Sequence, residues 1–172
     1  APDWGHPDAV DGAIETLRKR GFRDAGAFRV AEVPGILLFG MVQPEERIAA
    51  CIYDHFQVGS WTDLLILHED GTILTASNVP MGAELDSRPG TRKLIDKSWS
   101  VTQLLEKIRG ERTEGPAVAI TAESFAETYE SLHAQEMDWR NRRGGATTEE
   151  VERVGRGTGE RYSASQVRLA HE

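Results

Sequence analysis

The chain of 172 residues is long enough to bury a hydrophobic core as one domain, without disulfide bonds or a structural metal. Its composition, 39% hydrophobic and 28% charged, is typical of a globular protein, and no apolar run approaches the roughly 18 residues of a membrane span. The single cysteine, Cys51, excludes an internal disulfide and a cysteine-rich zinc site. The sequence begins at Ala1, which leaves open whether a signal or anchor was removed or the chain was trimmed, so the compartment stays unknown.

Acidic charge is concentrated in the middle of the chain. The net charge is −8, and residues 43–90 hold eight acidic side chains against two basic ones. Binding to phosphate groups needs clustered Lys and Arg. We therefore predict no nucleic-acid partner, and solubility is the favoured explanation of the acidic excess.

The first elements are a helix and two strands. Residues 7–20 repeat apolar side chains at helical spacing, and Gly21 is placed to end the helix. Residues 26–33 alternate weakly and suggest a strand, which the turn Pro34-Gly35 separates from an apolar strand over 36–42. Gly40 inside this second strand indicates a bulge or a close backbone approach.

The stretch from Arg47 to Asn78 gives the strongest structural signal. It consists of three β-rich runs separated by the turns Val58-Gly59 and Asp70-Gly71. Asp-Gly is a favoured two-residue hairpin turn, because both residues tolerate a positive φ. Strands joined by such short turns must be antiparallel. The sequence therefore predicts an antiparallel meander.

The region after the meander begins with a long connection. Residues 79–90 show no periodicity, and they are either a solvated crossover or a loop with a function. Residues 91–97 could return as an edge strand. Ser100 followed by Gln103 is a capping box, which predicts a helix that ends at Gly110.

Two further helices and a tail are predicted at the C-terminal end. The longest helix should run from Thr121 to about Arg143, and Thr147 with Glu150 should open a short one. From Gly155 onward the sequence is polar and interrupted by glycines. It is predicted to be a tail that is disordered or packs on a partner.

These elements predict an α+β fold. An antiparallel meander sheet of five to six strands is preceded by one helix and followed by two to three helices packed on a sheet face. Residues 1–154 form the single domain and 155–172 the tail. The opposite sheet face, with Cys51 and Tyr53, is too apolar to face water. It should be covered by the N-terminal helix or by a second subunit, which makes a homodimer possible.

The two predicted turns place several polar and aromatic side chains together. With two-residue turns, Asp54 lies opposite Asp63, Asp63 opposite Asn78, and Phe56 opposite Trp61, and residues directly opposite share a face. Opposed carboxylates repel unless a basic group bridges them, a cation binds, or one stays protonated. The predicted ligand-binding residues are thus Asp54, Asp63, Asn78, Trp61 and Phe56. A register slip or a salt bridge is the structural alternative.

No motif identifies a catalytic residue, a metal or a cofactor, so none of these is predicted. Glu130-x-x-His133 is half of a di-metal motif, but no second copy occurs, and His133 fits a core-edge position. Gly155-Arg-Gly-Thr-Gly159 lacks the Lys of a phosphate loop. A Gly-x-Ser-x-Gly elbow is absent, and Cys51 lies mid-strand, where a thiol is usually inert.

The function that these observations favour is binding without catalysis. The chain would recognise a protein or a small-molecule ligand through the end of the sheet and the 79–90 loop. The alternative is a small hydrolase or isomerase that uses Asp54 and Asp63 as an acid–base or cation-binding pair. A fold of this class supports many functions, so it does not decide between the two.

Overall fold

The computed structural model describes residues 2–30, 33–80 and 86–158, with side chains described as far as Arg153. Its elements, in chain order, are Pro7–Arg18 (α1), Arg23–Arg29 (β1), Ile36–Gln43 (β2), Ile48–His55 (β3), Gly59–Leu67 (β4), Ile73–Ser77 (β5), Thr91–Ile95 (β6), Val101–Glu111 (α2), Phe125–Arg142 (α3) and Thr148–Thr158 (α4). The strands form one six-stranded sheet in the order β1-β2-β3-β4-β5-β6. The α+β prediction is confirmed.

Three helices show the capping contacts that the sequence indicates. Gly21, with a φ of +86°, follows α1 and lets the N–H of Phe22 bond back to the carbonyl of Leu17. At the start of α2, Ser100 and Gln103 exchange side-chain to backbone hydrogen bonds of 3.2 and 2.8 Å. The Oγ1 of Thr147 likewise accepts from the N–H of Glu150 ahead of α4. Each pair satisfies N–H groups that an uncapped helix would leave without partners.

The hairpin register differs from the prediction because both turns have three residues. Residues 56–58 form the first turn, so Asp54 lies opposite Ser60 and Cys51 opposite Asp63. In the second hairpin Leu67 pairs with Ile73, and the N–H of His68 bonds to the carbonyl of Thr72 across residues 69–71. Each shift is by an odd number of residues, so every side chain of β4 moves to the other face of the sheet.

The sheet has a helix layer on both faces. One face, here called the α1/α2 face, packs α1 and α2 on strand residues that include Ala50, Ile52, Leu64, Ile66, Leu74 and Ala76. The other face, here called the α3 face, packs α3 on residues that include Leu38, Val42, Ala49 and Cys51. The N-terminal helix therefore lies beside α2 rather than opposite the later helices. The prediction that the N-terminal helix covers the face with Cys51 and Tyr53 is therefore wrong.

The last strand departs from a pure meander. β6 pairs parallel to β5, with Thr75 opposite Lys93, whereas the other neighbouring strands are antiparallel. A parallel neighbour needs a crossover, and residues 78–90 provide it. The predicted loop 79–90 thus has a topological role, although residues 81–85 lie outside the described residues.

The C-terminal part of the chain follows the prediction only in outline. α3 begins at Phe125 rather than at Thr121, because residues 121–124 form a capped turn in which the Oγ1 of Thr121 accepts from the N–H of Ser124. α4 extends to Thr158, and residues 159–172 of the predicted tail lie outside the described residues. Within the described part of the chain, every helix is too short or too polar to cross a membrane.

Candidate functional site

The predicted row of Asp54, Asp63 and Asn78 is not formed. Asp54 lies on the α1/α2 face, whereas Asp63 pairs with Cys51 on the α3 face. Successive residues of a strand point to opposite faces, so the odd register shift separates the two carboxylates. The two carboxylates therefore do not face each other on one side of the sheet. Whether any one of the five predicted residues binds a ligand stays a prediction.

Asp54 anchors the segment ahead of α1. Its side chain is 2% exposed, and it accepts hydrogen bonds from the N–H of Gly5 at 2.6 Å and from the Nδ1 of His6 at 2.8 Å. A carboxylate at the N-terminal end of a helix also interacts favourably with the helix dipole. These contacts give Asp54 a structural role at the sheet end.

Asp63, on the α3 face, affects two neighbouring side chains. Burial, followed by the negative charge of Asp63, raises the pKa of the Cys51 thiol. Burial is also the main cause that raises the pKa of Tyr53. A group whose pKa is raised in this way keeps its proton at neutral pH. Cys51 is therefore not an activated nucleophile, as its mid-strand position predicted.

The other three predicted site residues also have local partners. Asn78 accepts from the N–H of Thr62 at 2.7 Å and donates to the carbonyl of Trp99 at 3.0 Å, so it extends the strand pairing and fixes the approach to α2. Trp61 stacks on Tyr53 with ring centroids 5.1 Å apart. Phe56 stacks on His55 at the same distance and is 67% exposed.

A groove lies between α3 and the β1–β2 edge of the sheet. It has a volume of about 960 Å³. Small-molecule sites usually occupy about 300–1,000 Å³ and have mostly apolar walls. Nine residues of α3 form one wall, from Phe125 to Asn141. The opposite wall is formed by the end of β1, the residue that follows it, and one residue of β2: Ala27, Phe28, Arg29, Val30 and Leu38.

Four rings form a ladder along this groove. Phe28 stacks on Phe125 with centroids 5.7 Å apart, Phe125 on Tyr129 at 6.3 Å, and Tyr129 on His133 at 6.1 Å. The interplanar angles are 19°, 12° and 7°. Residues four apart on a helix lie one above the other, which explains the nearly parallel rings on α3. The ladder gives the groove a rigid aromatic wall.

α3 is held at both ends, so the groove exists without a ligand. The ring of Phe125, which is 3% exposed, packs directly on Gly40 of β2. The contact is one of a side-chain ring with the backbone at Gly40, whereas the sequence indicated a bulge or a close backbone approach. Near the other end of α3, Glu136 accepts from the N–H of Arg88 at 3.2 Å, and Arg140 donates to the carbonyl of Asp86 at 3.0 Å. The crossover segment 86–90 thus fixes the outer half of the helix.

Part of this groove has a signal in the sequence. Phe125 and Tyr129 are aromatic residues at helical spacing in the predicted longest helix, and the sequence indicates a core-edge position for His133, which lies half-buried. The partner wall from β1 could not be inferred, because the contact between Phe28 and Phe125 depends on how α3 lies across the sheet. Among the described residues no group of three or more His, Cys, Asp or Glu side chains is placed to hold a metal ion.

Comparison with protein-family models, with curated proteins and with solved structures finds no match to this chain.

Proposed function

We propose that this chain is a binding domain that holds a small organic molecule with an apolar, ring-bearing body in the groove beside α3. The observation that carries the proposal is the aromatic ladder from Phe28 to His133 along the wall of a groove of about 960 Å³. A pre-formed apolar groove with a few polar groups is the usual form of a ligand site.

The apolar wall supports the choice of an apolar body. Phe28, Leu38 and Phe125 close the inner end, and Met137, which is 38% exposed, lies toward the outer end. Covering such surface by a ligand gains about 25 cal/mol per Å² of apolar area removed from water. Because the rings already stack on one another, a ligand orders few side chains when it binds, and this lowers the entropic cost of binding.

The polar groups of the groove favour a ligand with a cationic end. Glu130 and Asp138 lie on the α3 wall, and Arg29 lies on the strand wall. Two carboxylates outnumber one guanidinium, so a ligand amine should be preferred to a ligand carboxylate of the same shape. The imidazole of His133 and the amide of Asn141 can fix the orientation of the polar end by hydrogen bonds.

A matched pair of probes tests the proposal. Naphthylmethylamine and naphthoic acid share a ring system and differ in charge. We expect the amine to raise the melting temperature more than the acid does. At a concentration about one hundred times its Kd, the amine adds about 2.7 kcal/mol to the free energy of unfolding. This raises the melting temperature by about 5–11 °C for a chain of this size.

Two phenylalanine substitutions locate the binding site. Ala134 lines the groove, so Ala134→Phe fills it and should abolish the shift. Gln135 is the next residue of α3 and faces a different surface pocket, so Gln135→Phe should leave the shift unchanged. Equal shifts in the two variants, or no shift by the amine in the unmodified chain, would rule the groove out as the binding site.

A second candidate function is contact between two copies of this chain through the sheet end. Val33 and Val58 are each 39% exposed, and they lie in the two turns that meet where Gly35 approaches the exposed ring of Phe56. Exposed apolar side chains that cluster in this way often mark protein contacts. Sedimentation should show a dimer that Phe56→Ser dissociates and Met137→Ser leaves intact; a monomeric unmodified chain excludes this candidate.

A further inference from the structure

His68 lies at the opposite end of the sheet from Asp54 and forms the centre of a hydrogen-bonded chain. Its side chain is 6% exposed, where the β4–β5 hairpin meets the link after α2. Nδ1 lies 3.3 Å from the Oγ1 of Thr72, and Nε2 lies 3.2 Å from the Oγ1 of Thr113. The Oγ1 of Thr72 also lies 2.7 Å from the Oδ1 of Asp70.

In this series of hydrogen bonds, the acceptors determine which group donates each proton. A hydroxyl has one proton, and Thr72 donates its proton to Asp70. The hydrogen bonds from the side chain and from the backbone of Thr72 hold the pKa of Asp70 below its usual value, so Asp70 is a carboxylate. The Oγ1 of Thr72 must then accept from Nδ1–H of His68. The neutral imidazole presents its lone pair at Nε2, and the hydroxyl of Thr113 donates to it.

A pocket of about 300 Å³ opens beside this chain of residues. His68 and Thr113 line it together with Ile73, Leu74 and Arg92. Thr113 is exposed, whereas His68 is shielded from water. At roughly 30 Å³ for each water-sized group, the pocket has room for about ten non-hydrogen atoms. Its apolar wall suits a short acyl group. The guanidinium of Arg92 donates from one Nη to the carboxylate of Glu111 at 2.7 Å, and its other N–H groups are donors for a developing oxyanion.

We propose that Thr113 and His68 form a nucleophile–base pair that hydrolyses short-chain carboxylic esters. A nucleophile within hydrogen-bond reach of a base, which a third group orients in turn, is the general arrangement for nucleophilic catalysis. Asp70 is a positioning residue, because it does not line the pocket and acts on the substrate only through Thr72 and His68. This activity belongs to a different site from the groove and does not depend on ligand binding there.

The reaction balances with water as the only co-substrate. The Oγ1 of Thr113 attacks the ester carbonyl carbon while its proton moves to Nε2 of His68, and the carbonyl electrons move to oxygen. Collapse of this intermediate breaks the bond to the alcohol, which takes the proton from His68 and leaves an acyl-threonine. Water then attacks the acyl group with His68 as base. Thr113 leaves with its proton restored, and a carboxylic acid is released.

The test uses the full chain and p-nitrophenyl acetate. Release of nitrophenolate is followed by absorbance, and the acetyl group is located by peptide mass spectrometry. We expect acetylation at Thr113. Thr113→Val, which keeps the shape but lacks the hydroxyl, should lose the adduct and at least about tenfold of the rate, since a positioned acid–base group contributes about 10²–10⁴-fold. Thr113→Ser should retain both.

Further variants separate this proposal from simpler explanations. Thr16→Val, in α1, removes a hydroxyl remote from His68 and should leave the rate unchanged, as should the groove variant Ala134→Phe. Asp70→Asn should lower kcat with little change in KM, because Asp70 does not line the pocket. Acetyl groups found only on lysines, or equal rates in Thr113→Val and the unmodified chain, would overturn the proposal.

Discussion

Replacing Gly40 with alanine tests whether α3 packs on the sheet as closely as the structure shows. A Cβ at this position would lie 2.4, 2.6 and 2.7 Å from three ring carbons of Phe125, whereas carbon atoms in contact are about 3.5–4.0 Å apart. The ring and the first turn of α3 must therefore move by about 1 Å. Overpacking of this kind costs about 1–3 kcal/mol, which lowers the melting temperature by about 2–12 °C.

Urea unfolding followed by circular dichroism measures this cost. The matched control is Gly12→Ala in α1, where a new Cβ meets no atom of the described residues within 4 Å. Alanine in place of a helical glycine should stabilise the chain by about 0.5–1 kcal/mol. In a Phe125→Ala background the Gly40→Ala penalty should disappear, because the clashing ring is gone. A neutral Gly40→Ala substitution, or a penalty that persists without the ring, would refute the reasoning.

Two further predictions concern buried groups. The folded state raises the pKa of Cys51, so the unfolded chain loses this proton first as the pH rises. The free energy of unfolding should fall above about pH 8.5, by up to about 1.4 kcal/mol per pH unit, and less steeply in Cys51→Ala, as measured by urea unfolding across that range. Glu150 is buried and pairs with Arg143 at 2.6 Å. Glu150→Leu removes both this pair and the helix cap, so amide hydrogen exchange should become faster in α4 but not in α2.

The helices and their buried faces could be predicted because the signals for them are local. Val10, Ile14 and Leu17 recur at helical spacing, and all three are buried. The capping boxes of α2 and α4 depend on residues three positions apart. Such patterns need no knowledge of the rest of the chain.

The register could not be predicted because side chains decide the turn length. The Nδ1 of His55 accepts from the N–H groups of Gln57 and Val58, and these bonds favour a three-residue turn over the predicted Val58-Gly59 turn. In the second hairpin, the Oδ1 of Asp70 accepts from the N–H of Thr72 and stabilises the wider turn in the same way. An odd change in the register of the first hairpin separates Asp63 from Asp54, and an odd change in the second separates it from Asn78.

The groove was missed for a different reason. Its aromatic wall combines residues of α3 with Phe28, which is distant in the sequence and lies on a strand with only weak alternation. Polar residues such as Glu130 also interrupt the apolar stripe of α3 on the side that faces the groove. A helix face that lines an open groove is half-buried, so its pattern is weaker than that of a fully packed helix.

The match between strand order and chain order has a kinetic consequence. The connections between the first five strands are short, so most sheet contacts join residues that are close in sequence, which gives a low relative contact order. The entropy lost on loop closure grows with loop length. The crossover 78–90 is the longest connection in the sheet. β6 is therefore the strand whose docking costs the most loop-closure entropy, although it completes only one edge.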